Sequence, residues 1–114
     1  MYHYEAEVVG VYDGDTITVD VDLGFGVWAR GQKIRLAGID APELKGETRE
    51  AGKRSRDALL VLFAQSKNRI TLRTVMDRKE KYGRWLGYVQ LADDTATPVN
   101  DWMVLNGHAK PWQN

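Results

Sequence analysis

Several charged residues stand at spacings that suit chemistry on an anionic substrate. Asp13 and Asp15 flank Gly14, and Arg35, Asp40 and Glu43 share the short stretch Ile34-Arg35-Leu36-Ala37-Gly38-Ile39-Asp40-Ala41-Pro42-Glu43. Two carboxylates as close as Asp13 and Asp15 repel unless a positive charge lies beside them. A hard cation is one answer, because Ca²⁺ and Mg²⁺ take oxygen ligands. An EF-hand loop is excluded: Ile17 holds its fifth position, Thr18 replaces the required glycine, and Gly24 stands where the bidentate glutamate belongs. A plain turn that uses aspartate as a turn residue stays open. In the second stretch a guanidinium and two carboxylates come within reach of one pocket, and half-buried charges are costly unless paired or ligated. Farther on, Lys81-Tyr82-Gly83-Arg84 places an arginine just after a glycine that tolerates a positive φ, so the chain can be re-aimed there.

These residues need elements to hold them. Ile34 to Ile39 alternates as a strand does, and Pro42 ends it, lacking an N–H and forcing its predecessor into an extended shape. Arg35 therefore rides on a strand over Gln32–Ile39, with Asp40 and Glu43 at its end and just beyond. Glu5–Val11 reads as an earlier strand with a bulge at Gly10. Asp13-Gly14-Asp15 turns into Thr16–Leu23, where Ile17, Val19, Val21 and Leu23 share one face. Gly24 to Gly31 reads as a glycine-punctuated, mobile loop carrying Phe25 and Trp28. The period then changes: Ala51, Ser55, Ala58, Leu59, Leu62 and Phe63 recur at three- and four-residue steps, predicting a helix over Glu47–Gln65 with Thr48 as a candidate cap. Strands follow at Arg69–Val75 and Arg84–Leu91, joined by a charged hairpin loop over Asp77–Gly83. A turn at Asp93-Asp94 precedes a short helix over Val99–Asn106, ended by Gly107. Three strands, a helix, two strands and a helix predict an α+β fold: an OB-fold, a five-stranded Greek-key barrel with a helix between strands three and four and a short C-terminal helix.

Composition narrows the function classes. With 114 residues, 43% hydrophobic and 28% charged, the chain reads as one globular domain over 1–114. It has no cysteine, so disulfides and thiolate metal sites are excluded. No apolar run approaches the length of a membrane span. The start, Met1-Tyr2-His3-Tyr4-Glu5, has neither a basic nor an apolar leader region, so a cytoplasmic protein is the expectation, with secretion left open to a chain whose leader has been removed. Net charge is zero but unevenly spread. Residues 1–44 hold three Lys/Arg and eight Asp/Glu, residues 45–84 twelve and five, and residues 85–114 one and three. An acidic cluster beside a basic segment suits a cation together with a phosphodiester; a solvated basic helix face is the plainer explanation.

Asp13-Gly14-Asp15-Thr16, the run from Ile34-Arg35-Leu36 to Asp40-Ala41-Pro42-Glu43, and Lys81-Tyr82-Gly83-Arg84, in this order and spacing, resemble the motifs of the staphylococcal (micrococcal) nuclease family. Val99-Asn100 and Gly107-His108-Ala109-Lys110 add a weaker match, so the resemblance spans about residues 5–110 and is that of a compact member. It implies an OB-fold and a Ca²⁺-dependent endonuclease that cleaves DNA and RNA, single- or double-stranded, to leave 3′-phosphate ends, acting as a monomer. By resemblance Asp15 and Asp40 are carboxylate ligands of the cation, the Ala41 carbonyl a third ligand, and Asp13 an outer-shell acid. Glu43 matches the general base on the attacking water, and Arg35 and Arg84 the two phosphate-binding arginines. Lys81 and Tyr82 match residues near the terminal phosphate of the nucleotide. Gln113 stands where the staphylococcal enzyme has a base-stacking tyrosine, which leaves Trp28 or Trp112 as aromatic platforms. The competing expectation, from another class, is a non-catalytic OB module that binds single strands or a protein partner. Such modules are expected to lose the acids and arginines that this chain retains.

Overall fold

The computed structural model describes residues 3–75, 83–93 and 97–113. Five strands close into a barrel: β1 (His3–Asp13), β2 (Thr16–Asp22), β3 (Trp28–Leu36), β5 (Arg69–Thr74) and β6 (Trp85–Leu91), in the order β1-β2-β3-β6-β5, with β5 returning to β1. All pairings are antiparallel except β3 with β6. This is the OB-type barrel expected from the sequence. Ile17, Val19 and Val21 of β2, Ile34 and Leu36 of β3, Ile70 and Leu72 of β5 and Val89 of β6 fill it, as period-two alternation requires. Leu23 departs from that alternation: it is exposed and starts the hairpin turn instead.

Helix α1 (Arg49–Ala64) follows a 3₁₀ turn at Gly46–Thr48 and seals the barrel with Leu59, Leu62 and Phe63. Thr48 does not cap it. Its hydroxyl instead donates to the carbonyls of Glu43 (2.9 Å) and Lys45 (3.1 Å), closing the loop that precedes the helix. Helix α2 (Val99–Leu105) sets Val99 and Met103 into the same core.

The strand around Arg35 is shorter than the alternation suggested. β3 stops at Leu36, the chain turns through Ala37 and Gly38, and β4 (Ile39–Asp40) starts anew. Gly38 has φ +79°, a left-handed value that a side chain resists. β4 pairs with β7 (Lys110–Pro111), a two-residue strand in the C-terminal tail. Asn100, buried at the start of α2, holds the turn: its amide donates to the carbonyls of Ala37 (2.8 Å) and Gly87 (3.0 Å), and its oxygen accepts the Val89 N–H. β3 is longer at its other end, because Trp28 to Gly31 belong to the strand and only Leu23–Val27 makes the hairpin turn, tied by hydrogen bonds between Leu23, Gly24 and Val27. The expected hairpin loop over Asp77–Gly83 lies outside the described residues except for Gly83, and of the turn at Asp93-Asp94 only Asp93 is described.

Candidate active site

Asp15 leads into β2 and Arg35 is the last residue but one of β3, and the register sets Thr16 opposite Arg35. Both charged groups are nearly inaccessible, Asp15 at 6% and Arg35 at 9% exposure. Burying them is tolerable because, among the described residues, no fully buried side-chain polar atom lacks a partner. Asp15 Oδ2 accepts the Ala41 N–H at 2.8 Å, and Oδ1 accepts the Thr16 hydroxyl at 3.1 Å. Arg35 Nη1 donates to the carbonyls of Leu36 (3.0 Å) and Ile39 (2.9 Å). Its Nη2 stands 3.4 Å from Asp15 Oδ2 and 3.5 Å from Asp40 Oδ1. The turn at Gly38 makes this possible, since it folds β4 back so that the Ile39 carbonyl and the Asp40 carboxylate meet the guanidinium of the residue four or five positions earlier. One arginine thus bridges two carboxylates while two backbone carbonyls fix its plane.

The remaining predicted residues fall around this core. Arg84 Nη1 donates to Thr16 Oγ1 at 3.3 Å, so a chain of contacts runs Arg84–Thr16–Asp15–Arg35–Asp40. Asp13 Oδ1 accepts the Asp15 N–H at 3.1 Å. Burial, with the Asp15 carboxylate next to it, pushes the Asp13 carboxyl up to about 6, and Arg35 pulls only weakly the other way. Glu43 sits on the rim of a cavity of about 570 Å³ that it shares with Asp40, Ala41, Thr48 and Lys110. Its side chain is 71% exposed and lies 3.9 Å from Lys45. The segment beneath it is held from behind by α1: a Cβ on Gly52 would fall 2.5 Å from the Glu43 carbonyl oxygen, so only glycine lets the helix pass this close.

The aromatic platforms separate. The Trp112 backbone N–H donates to the Gly38 carbonyl at 2.9 Å, and Lys110, 3.9 Å from Asp40, lies over the Trp112 ring at 5.7 Å. Trp112 therefore borders the site. Trp28 does not, because it pairs with Asp22 at the opposite end of β2 and β3, about 20 Å along the strands from Thr16. Lys81 and Tyr82 lie outside the described residues.

Among the described residues no three Asp, Glu, His or Cys side chains are placed to hold a metal ion by themselves. The donor chemistry nevertheless fits a hard cation: the carboxylates of Asp15 and Asp40 and the carbonyl of Ala41 are oxygen donors, with water and substrate left to complete the shell. Residues to which the sequence assigned no role at the site are Thr16, Thr48, Gly52, Asn100 and Lys110. Thr16 and Lys110 lie within the motifs, but as β2 and tail positions they carried no sign of their contacts. Gly52 in mid-helix was a legible anomaly, because glycine costs a helix about 1 kcal/mol relative to alanine.

Comparison with known proteins gives the family. Residues 33–113 match the family model described as "Staphylococcal nuclease homologue". The chain is a member of the staphylococcal nuclease family. A micrococcal nuclease of Shigella flexneri is 36% identical over 112 residues, covering 93% of this chain and 57% of the relative. A thermonuclease of Staphylococcus hyicus is 35% identical over 91 residues, covering 77% and 49%. The endonuclease YhcR of Bacillus subtilis (strain 168) is 33% identical over 114 residues, covering 93% of this chain but 9% of that protein. The chain thus spans about half the length of the first two relatives and a small part of the third. No helix among the described residues is long and apolar enough to cross a membrane.

Proposed function

We propose that this staphylococcal nuclease family member is a Ca²⁺-dependent endonuclease that hydrolyses phosphodiester bonds of DNA and RNA, leaves 3′-phosphate ends and acts as a monomer. The observation that carries this reading is the bridge from the buried Arg35 to the buried Asp15 and the partly exposed Asp40, with Arg84 joined to it through Thr16. A purely structural barrel has no use for two carboxylates and two guanidiniums gathered at one strand end, where a pair of apolar residues of similar volume would serve stability as well or better.

Each group has a task that its surroundings suit. The two carbonyl contacts anchor Arg35 through Nη1, while its Nη2 ion pairs of 3.4 and 3.5 Å are longer than good charge-assisted hydrogen bonds. The Nη2 edge can therefore turn to a non-bridging phosphate oxygen without losing its anchors. Arg84 stabilises the charge that grows on the phosphoryl oxygens in the transition state. Glu43, exposed on the rim of the neighbouring cavity, takes a proton from the attacking water. Ca²⁺ bound by Asp15, Asp40 and the Ala41 carbonyl would supply charge neutralisation for the phosphodiester. With so few protein ligands, metal binding is weak without substrate and tightened by it. Mg²⁺, which demands a stricter octahedron, supports little turnover. Digestion of denatured DNA tests the reading: cutting with Ca²⁺ that stops on adding chelator, with ends that accept phosphatase at the 3′ position, is expected. Strands bound but left whole would replace the enzyme with a binding module.

A further inference from the structure

A second open cavity, of about 440 Å³, lies on the other flank of the Asp15–Arg35 pair. Tyr12, Thr16, Thr18, Lys33 and Arg84 line it. Its chemistry differs from that of the cavity beside Asp40 and Glu43, for among the described residues no carboxylate lines it. Two cations, two hydroxyls and one aromatic ring converge on a space within the range of about 300–1,000 Å³ usual for ligand sites.

The strands explain the convergence. Thr16 pairs with the buried Arg35 and Thr18 with Lys33, so the two threonine hydroxyls and Lys33 follow one another along the rungs of β2 and β3 away from the buried carboxylates, and Arg84 joins them at Thr16. The cationic run ends at Asp20, whose carboxylate takes Arg30 and the Gly31 N–H. On the opposite wall, β1 pairs Val11 with Ile17 and Asp13 with Thr16, which leaves Tyr12 as the extra residue of a bulge. A bulge re-aims its side chain out of the regular alternation. Tyr12 accordingly stands 71% exposed over the rungs, an aromatic surface held on a strand rather than on a loop.

We propose that this cavity is a nucleotide subsite for a single-stranded substrate. It holds the nucleotide that flanks the scissile phosphate on the Arg84 side, with the base stacked on Tyr12, the next phosphate on Lys33, and Thr16 and Thr18 facing the sugar-phosphate edge. A stacked base and a backbone cation are the two elements by which single strands are held without regard to sequence. The subsite rests on the reading of Arg84 as a phosphate ligand. It gives this chain a stacking tyrosine on the flank opposite Trp112.

The test uses a labelled oligothymidylate long enough to cross the site. Affinity is measured by anisotropy in chelator, and KM and kcat are measured with Ca²⁺. Tyr12→Ala and Lys33→Ala are each expected to weaken binding, and to raise KM, by about ten-fold. Saturated turnover and melting temperature stay near the wild-type values, and Tyr12→Phe, which keeps the ring, behaves as wild type. If wild-type protein binds the strand without cutting it and Tyr12→Ala still weakens binding, the nuclease reading falls and the subsite stands. If wild-type protein cuts and Tyr12→Ala matches it in affinity and KM, the subsite is overturned and the nuclease reading stands. A Tyr12→Phe variant as weak as Tyr12→Ala would overturn the stacking role.

Discussion

The two ends of the β2–β3 pair carry their charges in opposite ways. At one end Asp15 and Arg35 are buried, and each is held by backbone groups as well as by the other. At the other end Arg30 pairs with Asp20 at 3.0 Å, but the arginine side chain is 67% exposed and rests over the Trp28 ring in solvent. That pair gains little, because water screens the exposed arginine and ordering two side chains costs entropy. The buried pair is costly to desolvate and survives only because its partners are fixed. The turn at Gly38 and the two-residue β4–β7 pairing bring a carbonyl and a second carboxylate to the buried arginine, whereas the positive φ values of Gly24, Phe25, Gly26 and Gly31 lie in and beside the hairpin at the other end. On the proposed function, the buried end is where the chemistry takes place.

The most severe way to break the comparison is to remove the bridging arginine. Arg35→Ala strands the Asp15 carboxylate in the barrel wall. It should cost on the order of 3–5 kcal/mol of stability by thermal melting and at least 10²–10³ in cleavage rate. A stable, active Arg35→Ala protein would show that the bridge is ornamental. Gly52→Ala attacks the same end from behind, since its Cβ must push the Glu43 backbone away. We expect a loss of about 1–3 kcal/mol together with roughly a ten-fold drop in kcat. A lowered melting temperature with unaltered turnover would detach Glu43's position from catalysis.

Asp13 sharpens the comparison through pH. Its carboxyl is raised to about 6 in the fold. The fold therefore carries a penalty for the ionised form, absent below the unfolded value near 3.8 and fully present once pH exceeds about 6. In chelator, Asp13→Asn should raise the melting temperature at pH 7–8 by on the order of a few degrees and give no gain near pH 4. An equal gain at both pH values would assign the effect to something other than charge. Trp28→Ala should do least. It sits at the far end of the strands, and losing its stack with Arg30 should cost no more than about 1 kcal/mol. Cleavage of short denatured strands should continue at the wild-type rate, and a ten-fold fall would extend the substrate path to that end.

Much of this was legible in the sequence for physical reasons. The strict alternation of Ile17, Val19 and Val21 and the three- and four-residue steps of Leu59, Leu62 and Phe63 each report a buried face. The gathering of Asp15, Arg35, Asp40 and Arg84 followed from motifs whose spacing matched a family. What escaped was geometry without periodicity. The alternation runs straight through Ala37–Ile39, so the break at Gly38 was invisible, and a two-residue strand such as Lys110–Pro111 has no pattern to detect. A bulge was read at Gly10. One shift does lie between Val8 and Gly10, but the second, which exposes Tyr12, left no mark in residue types. Trp28 looked like a loop residue because glycines surround it, yet it pairs in β3.

The measurement that bears most directly on the central claim compares turnover with binding for Arg84→Ala and Glu43→Gln on denatured DNA with Ca²⁺. On the proposed mechanism Arg84 meets charge that appears only in the transition state, and Glu43 takes a proton only as water attacks. Turnover should therefore fall on the order of 10²-fold or more while strand affinity stays near that of the wild-type protein. If both variants cut at the wild-type rate, the Asp15–Arg35–Asp40 end of the barrel is not where the phosphodiester is broken.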